Sequence, residues 1–267
     1  MPVKLCIAGV AGRMGQRLLA LAQEDTELKV TYTLEHSRHA WIGQDAGLAS
    51  NVGALGAPVA CSICPNCAFD VLIDFTVADA AVAHATAAAA EGKALVIGTT
   101  GLTEAQKKQI AACAQKVPVL HAGNFSTGIH VLMKAAALVA KTLGPAYQIE
   151  IVEAHHDQKV DAPSGTALML AEAVAGALDK DLQADAVYGR HGHTGRRTKK
   201  EIGIHALRMG DVVGDHTVYF AIGGERIELT HRASSRDTFA RGALRAAKWL
   251  AGQQQPGFYT MAQVLEK

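Results

Sequence analysis

The sequence predicts an α/β protein: a Rossmann-like, doubly wound parallel sheet, then a second α+β domain with an open mixed sheet. Three observations predict it. Short apolar runs at 3–8, 28–34, 71–75, 94–97 and 117–120 alternate with Ala-rich helical stretches at 15–23, 80–91 and 103–116. A glycine-rich turn follows the first run directly. Beyond residue 200 the apolar runs, at 201–207, 217–222 and 226–231, follow one another with no helix between them.

Continuous apolar strands separated by helices indicate strands buried on both faces. Thr103 and Gln106 have the spacing of a capping box, which starts the third helix. A helix at 129–143 is stopped by Gly144-Pro145, and a strand at 148–153 runs into a dense polar loop before a helix at 167–178. Gly223-Gly224 joins the last two strands as a two-residue hairpin turn. The segment 188–200 is rich in Gly, His, Arg and Lys, has no apolar period, and is expected to be a mobile loop. The last helix, 239–250, carries an apolar stripe and is expected to return to the first domain. The expected division is 1–126 with 237–267 as a dinucleotide-binding domain, and 127–236 as the substrate domain.

Composition excludes several classes. The 267 residues carry 26 Lys and Arg against 25 Asp and Glu, a net charge of +1. Nucleic-acid binding needs a basic excess that is absent, and there is no polybasic membrane anchor. No stretch approaches the roughly 20 apolar residues of a spanning helix. The first residues read as a strand rather than a secretory leader, so the expected location is the cytoplasm. Five cysteines do not suit a disulfide framework. Three of them, Cys61, Cys64 and Cys67, have spacing seen in iron–sulfur ligation, but a cluster needs a fourth thiolate. The expectation is a reduced loop with no metal.

The first strand runs into Gly9, Val10, Ala11, Gly12, Arg13, Met14 and Gly15, and then a helix begins. Backbone N–H groups at such a turn face an anion, and glycine keeps side chains out of its way. Glu35 ends the second strand about 20 positions after the last glycine, where an acid takes the adenosine ribose hydroxyls. A carboxylate there favours NADH; His36 and Arg38 offset its repulsion of a 2′-phosphate and admit NADPH. Two further turns lie at strand ends: Gly98, Thr99 and Thr100, and Ala122, Gly123, Asn124 and Phe125. In a doubly wound sheet the ligand crevice lies at those ends. Asn124 is expected at the nicotinamide amide, with Phe125 walling the ring.

The densest polar cluster is the stretch 153–166. Adjacent histidines in a strand face opposite ways, so His155 and His156 share one site only if the strand ends before them. His155 and Lys159 are four apart, and one helical turn would bring them together as mutually perturbed proton donors. Ser164, Gly165 and Thr166 open the next helix, whose free N–H groups suit a carboxylate. His155, His156 and Asp157 are possible zinc ligands, but adjacent histidines converge poorly on a tetrahedral ion. Cationic donors beside a helix start describe a pocket for a small acid that receives a proton.

The run Glu153-Ala154-His155-His156, followed by Lys159 to Ala167, closely resembles the signature of the dihydrodipicolinate reductase family. The resemblance extends over the whole chain, through Asp74-Phe75-Thr76, Gly98 to Gly101, Asn124-Phe125-Ser126 and Ala233 to Arg236. It implies NAD(P)H-dependent reduction of a small cyclic dicarboxylate, 4-hydroxy-tetrahydrodipicolinate, in lysine and diaminopimelate synthesis. It implies that Gly9 to Met14, Glu35, Gly98 to Thr100 and Ala122 to Phe125 hold the cofactor. His155 would be proton donor or acceptor and Lys159 proton donor, with His156, Gly165 and Thr166 binding the substrate. It also implies a cytoplasmic homotetramer built through the second sheet. Two positions depart from the family: His36 stands where Arg is common, and Val77 where a basic residue is common. The rivals are a semialdehyde dehydrogenase, which needs a nucleophilic Cys that the 124–166 region lacks, and a non-catalytic dinucleotide sensor, which needs no proton donors.

Overall fold

A computed structural model describes residues 1–266. In chain order the elements are β1 (Val3–Ala8), α1 (Arg13–Gln23), β2 (Leu28–Leu34), α2 (Ala46–Ala49), β3 (Val59–Ala60), β4 (Val71–Asp74), α3 (Ala78–Ala90), β5 (Ala94–Ile97), α4 (Glu104–Cys113) and β6 (Pro118–His121). There follow α5 (Thr127–Leu143), β7 (Gln148–His155), α6 (Gly165–Ala177), α7 (Leu182–Asp185), β8 (Ala186–Tyr188), β9 (Ile202–Arg208), β10 (Gly214–Ile222), β11 (Glu225–Ala233), α8 (Asp237–Ala251), β12 (Gly257–Tyr259) and α9 (Met261–Leu265). Two compact units result: Met1–Ser126 with the C-terminal residues from Arg236, and Thr127–Ser235.

The first unit is an all-parallel sheet of order β12-β6-β5-β4-β1-β2-β3. Its central strands are apolar throughout because both faces are covered. Leu5, Ile7 and Ile73 face α1 and α8. Cys6, Leu72 and Leu95 face α3 and α4. The final helix does return to this sheet: Ala240, Ala243, Ala246 and Ala247 are buried, and Gly242 lies so close that an added Cβ would stand 1.8 Å from the Phe125 carbonyl. Its outer side is tied by Arg17 to Asp237 at 2.6 Å and by Lys248 to Asp25 at 2.7 Å. The strand order reverses between β1 and β4, which is where such sheets bind ligands at their carboxyl ends.

The expected capping box is present: Thr103 accepts from Gln106 N, and the Gln106 side chain accepts from Thr103 N. The cysteine loop differs from expectation. Cys64 and Cys67 form a disulfide, while Cys61 is free and exposed. A three-residue separation brings their Cα atoms to 5.4 Å, within bonding reach.

The second unit is a mixed sheet of order β11-β10-β7-β9-β8. β10 is antiparallel to β7 and β11, and β9 is parallel to β7 and β8. Ile149, Ile151, Val218 and Phe220 pack with the apolar sides of α5 and α6. The alternate residues Asp215, Thr217 and Tyr219 remain partly exposed, as period two requires.

The segment 188–200, expected to be mobile, is pinned by two arginines whose carboxylate partners lie outside it. Arg190 forms a two-pronged bond to Glu150 at 2.9 and 3.0 Å and reaches Glu201. Arg197 also reaches Glu150, and donates to the carbonyls of Ile149 and Glu201. Space for this comes from Gly203, opposite Glu150 on β9, where a Cβ would stand 1.7 Å from Glu150 Oε2. Gly203→Ala is therefore expected to displace the carboxylate and cost about 1–3 kcal/mol, as overpacking does. Thermal melts and limited proteolysis of the 188–200 segment check this; an unchanged Tm and digest would contradict it.

Candidate active site

In the first unit the strand-to-helix turn is built by steric necessity. Gly9 has φ +69°, and its carbonyl accepts from Gly12 N at 3.0 Å. A Cβ at Gly15 would stand 2.1 Å from that carbonyl. Gly12 caps α1 with no side-chain partner, and no acid lies in the first turn. The helix start thus presents backbone N–H groups with no side-chain cap and no acid of the helix's own first turn, which fits a diphosphate. Glu35 closes the turn from β2: one oxygen accepts from Ala11 N at 3.0 Å and the other from His36 N at 3.1 Å. Arg13 and His36 are exposed and Met14 is half-buried, whereas Val10 is wholly buried and offers only its backbone. Ligand atoms of Glu35, His36 and His39 lie within 4.8 Å of one another.

The loops after β4 and β5 are organised by Asp74, which is fully buried at the end of β4. It accepts from Thr76 N at 2.9 Å, Thr76 Oγ1 at 2.7 Å and Thr99 Oγ1 at 2.8 Å, with His84 Nδ1 at 2.8 Å. Burial alone would raise its pKa, but these bonds, His84's first, hold it below the ordinary carboxylate value. Gly98 leaves room for the Phe75 ring, which a Cβ would meet at 2.1 Å; Thr100 and Gly123 are exposed and Ala122 is half-buried. Asn124 Oδ1 accepts from Ser126 N at 2.7 Å, so its carbonyl serves its own turn. The ring wall expected of Phe125 is not there. Its side chain is 1% exposed and packs at 5.4 Å from the half-buried Phe75, leaving the loop only Phe125's backbone.

In the second unit the polar cluster is arranged around Glu153. The inward face of β7 reads Ile149, Ile151, Glu153, so an acid enters a face otherwise apolar. Glu153 is fully buried and accepts four bonds: His155 Nδ1 at 2.6 Å, Ser164 N at 3.0 Å, and both Arg208 terminal nitrogens at 2.9 and 3.0 Å. Burial would raise its pKa, yet His155 and Arg208 bring it down to about 2. β7 runs on through His155, contrary to the expected earlier end, and His156 is the first residue beyond it. His156 is half-buried, and its Nδ1 is buried with no hydrogen-bond partner among the described residues.

No helical turn links His155 to Lys159. The segment is a turn in which Lys159 N donates to His156 O, and the Lys159 ammonium binds Asp161 at 2.8 Å. The competing ion pair holds the lysine in a loop conformation instead. Ser164 caps α6 through Ala167 N, and the first turn holds no acid. Gly165 is exposed, and a Cβ there would meet nothing within 4 Å, so packing alone does not demand glycine; Thr166 is 9% exposed.

Sequence reading missed Arg208, His216 and Gly214. His216 lies on the inward face of β10 with Val218 and Phe220 and pairs across from Glu153. Its Nε2 lies 3.2 Å from Ser164 Oγ, and its ring stands edge-on to His155 at 5.1 Å. Burial first, then His155, pushes its pKa down to about 3. A polar residue in phase with buried apolar ones was the available signal, for His216 as for Glu153.

A Rossmann-ordered sheet with this glycine turn, joined to a second unit bearing a buried polar cluster, defines a pyridine-nucleotide-dependent oxidoreductase. Comparison with known proteins narrows the class. Residues 3–125 match the family described as dihydrodipicolinate reductase, N-terminus, and 128–265 that described as dihydrodipicolinate reductase, C-terminus. The chain belongs to the dihydrodipicolinate reductase family. A protein of Magnetococcus marinus named 4-hydroxy-tetrahydrodipicolinate reductase is 48% identical over 268 residues, covering 99% of each chain. One of the same name from Myxococcus xanthus is 48% identical over 98% of this chain and 97% of its own. The solved dipicolinate-bound dihydrodipicolinate reductase of Paenisporosarcina sp. TG-14 shares the fold, with TM-score 0.73 and 24% identity over 97% of this chain and 98% of that one.

Glu150 is likewise held at about 2, from an ordinary 4.5, by Arg190, Arg197 and His205 against the effect of burial. Both acids have folded values below their unfolded ones, so their stabilisation is full above about 4.5 and lost as pH falls toward 2. His216, kept neutral, begins the loss earlier, below its ordinary 6.5. Urea midpoints should therefore fall from pH 6.5 downward and steeply below 4.5, less so in Glu150→Gln. A flat profile would contradict the assignment.

Proposed function

We propose that this protein reduces 4-hydroxy-tetrahydrodipicolinate to tetrahydrodipicolinate with NADH or NADPH, in lysine and diaminopimelate synthesis. The carrying observation is that His155 and the start of α6 are both bonded to one buried carboxylate, Glu153. A proton-handling imidazole and an anion-binding helix end are thereby held together, as a small acidic substrate requires. The reduction takes up one hydride and one proton and releases water.

The nicotinamide, when bound, supplies the hydride. The turn from Gly9 to Met14 would hold its diphosphate, Glu35 the ribose, and the Gly98–Thr100 and Ala122–Phe125 loops the nicotinamide end. In the second unit Gly165, Thr166 and the unpartnered His156 Nδ1 would bind the substrate carboxylates. Lys159 would release Asp161 to neutralise the dianion and donate a proton; His155 would donate or accept one. Charge held ready in this way needs no reorganisation as the reaction proceeds. His36 and Arg38, both exposed beside Glu35, support use of either coenzyme.

A cytoplasmic homotetramer is part of the same proposal. No helix among the described residues is long and apolar enough to cross a membrane. Ile222 and Ile227, at the exposed end of the β10–β11 hairpin, support assembly through the second sheet.

Lys159→Ala is expected to lower kcat by about 10²-fold or more, the scale of a lost proton donor, while coenzyme affinity stays unchanged. Loss of coenzyme binding in that variant would overturn this division of labour. Glu35→Ala should weaken NADH more than NADPH by fluorescence titration; equal weakening would remove Glu35 from the ribose. Turnover is followed by NADH absorbance with substrate generated from pyruvate and aspartate semialdehyde.

A further inference from the structure

We infer that Glu153 is a positioning residue that commits Nε2 of His155 to the proton transfer, with Gly214 keeping that nitrogen accessible. The inference rests on the proposed role of His155 and adds which atom acts and what selects it.

The His155 imidazole has two nitrogens, and the fold treats them differently. Nδ1 faces inward, 2.6 Å from Glu153 Oε2. An ionised carboxylate only accepts, so Nδ1 must carry a hydrogen. That makes Nε2 the nitrogen whose hydrogen comes and goes. Among the described residues nothing bonds Nε2, and it is not among the sealed polar atoms. Gly214, at the start of β10, stands over it: an added Cβ would lie 3.1 Å from Nε2 and 3.5 Å from Cδ2. Gly214 needs no positive φ, so the fold's backbone does not explain the glycine there.

Glu153 itself is held in place from two sides. Arg208 of β9 grips both its oxygens, and Ser164 N at the start of α6 takes one of them. The carboxylate is thus rigid, and rigidity transmits to the ring it bonds. The titratable and charged groups against His155 are Glu153 on its own strand, Arg208 paired with it on β9, and His216 on β10 at 5.1 Å. His216 is kept neutral by burial, so it adds no positive charge beside His155 when that ring is protonated. Among the described residues Glu153 is the one anion bonded to the ring.

Glu153→Gln keeps the shape but accepts at only one of its two terminal atoms, so the bonds to His155 Nδ1 and Arg208 Nη1 on one side and to Ser164 N and Arg208 Nη2 on the other cannot both persist. The expected result is a fall in kcat of about 10²-fold with KM and circular dichroism unchanged. A folded variant with wild-type kcat would overturn the inference. Should Glu153→Gln fail to fold, Gly214→Ala leaves the Glu153 bonds intact and covers Nε2. It should lower kcat at least tenfold, with NADH affinity and circular dichroism as in the wild type; full activity would overturn the inference equally. His155→Gln separates the two levels. If it is fully active, the role of His155 falls; if it is inactive while Glu153→Gln and Gly214→Ala are not, only the selection of Nε2 falls.

Discussion

A buried carboxylate must be bonded or it destabilises the fold, and in the second unit that requirement is met at Glu153. An ionised carboxylate without partners costs several kcal/mol in a protein interior. Glu153 takes four donors from β7, β9 and the start of α6. To satisfy it, the two strands and the helix start must converge at one point. His155, the α6 N-terminus and Arg208 are brought together by that demand, and the candidate site is its consequence.

The first unit uses the same device. Asp74 ends an apolar strand and is buried there. Thr76, Thr99 and His84 bond it, which fixes the loops after β4 and β5 at the carboxyl edge of the sheet. In both units an apolar strand face finishes in one acid, and the polar loops are hung from that acid. Packing thereby builds the frame, and a single charge sets the loop geometry on it.

How much was legible in the sequence follows from range. β1, β2 and β5 have the bounds their apolar runs predict, since a strand buried on both faces needs nothing else to declare itself. The glycine turn, and the place of Glu35 beside it, were legible because their spacing is local. β3, β8 and β12 were not, being two or three residues long and recruited by neighbours rather than by pattern. The loop at 188–200 was misread because Arg190 and Arg197 bond Glu150, some 40 positions earlier. The helical turn between His155 and Lys159 was misread because Asp161 captures the lysine. Phe125 was misplaced because burial depends on α8, over 100 residues later. His216 and Glu153 left a trace, a polar residue in phase with buried apolar ones, but their pairing depends on strand register.

The most direct measurement is the tautomer of His155 in protein labelled with nitrogen-15 histidine, read by long-range proton–nitrogen correlation at a pH where the ring is neutral. Nδ1 should carry the hydrogen and Nε2 should be bare, because a charged acceptor lies against Nδ1. A neutral ring protonated at Nε2 would show that Glu153 does not govern it, and the organising role given to the buried carboxylate would be wrong.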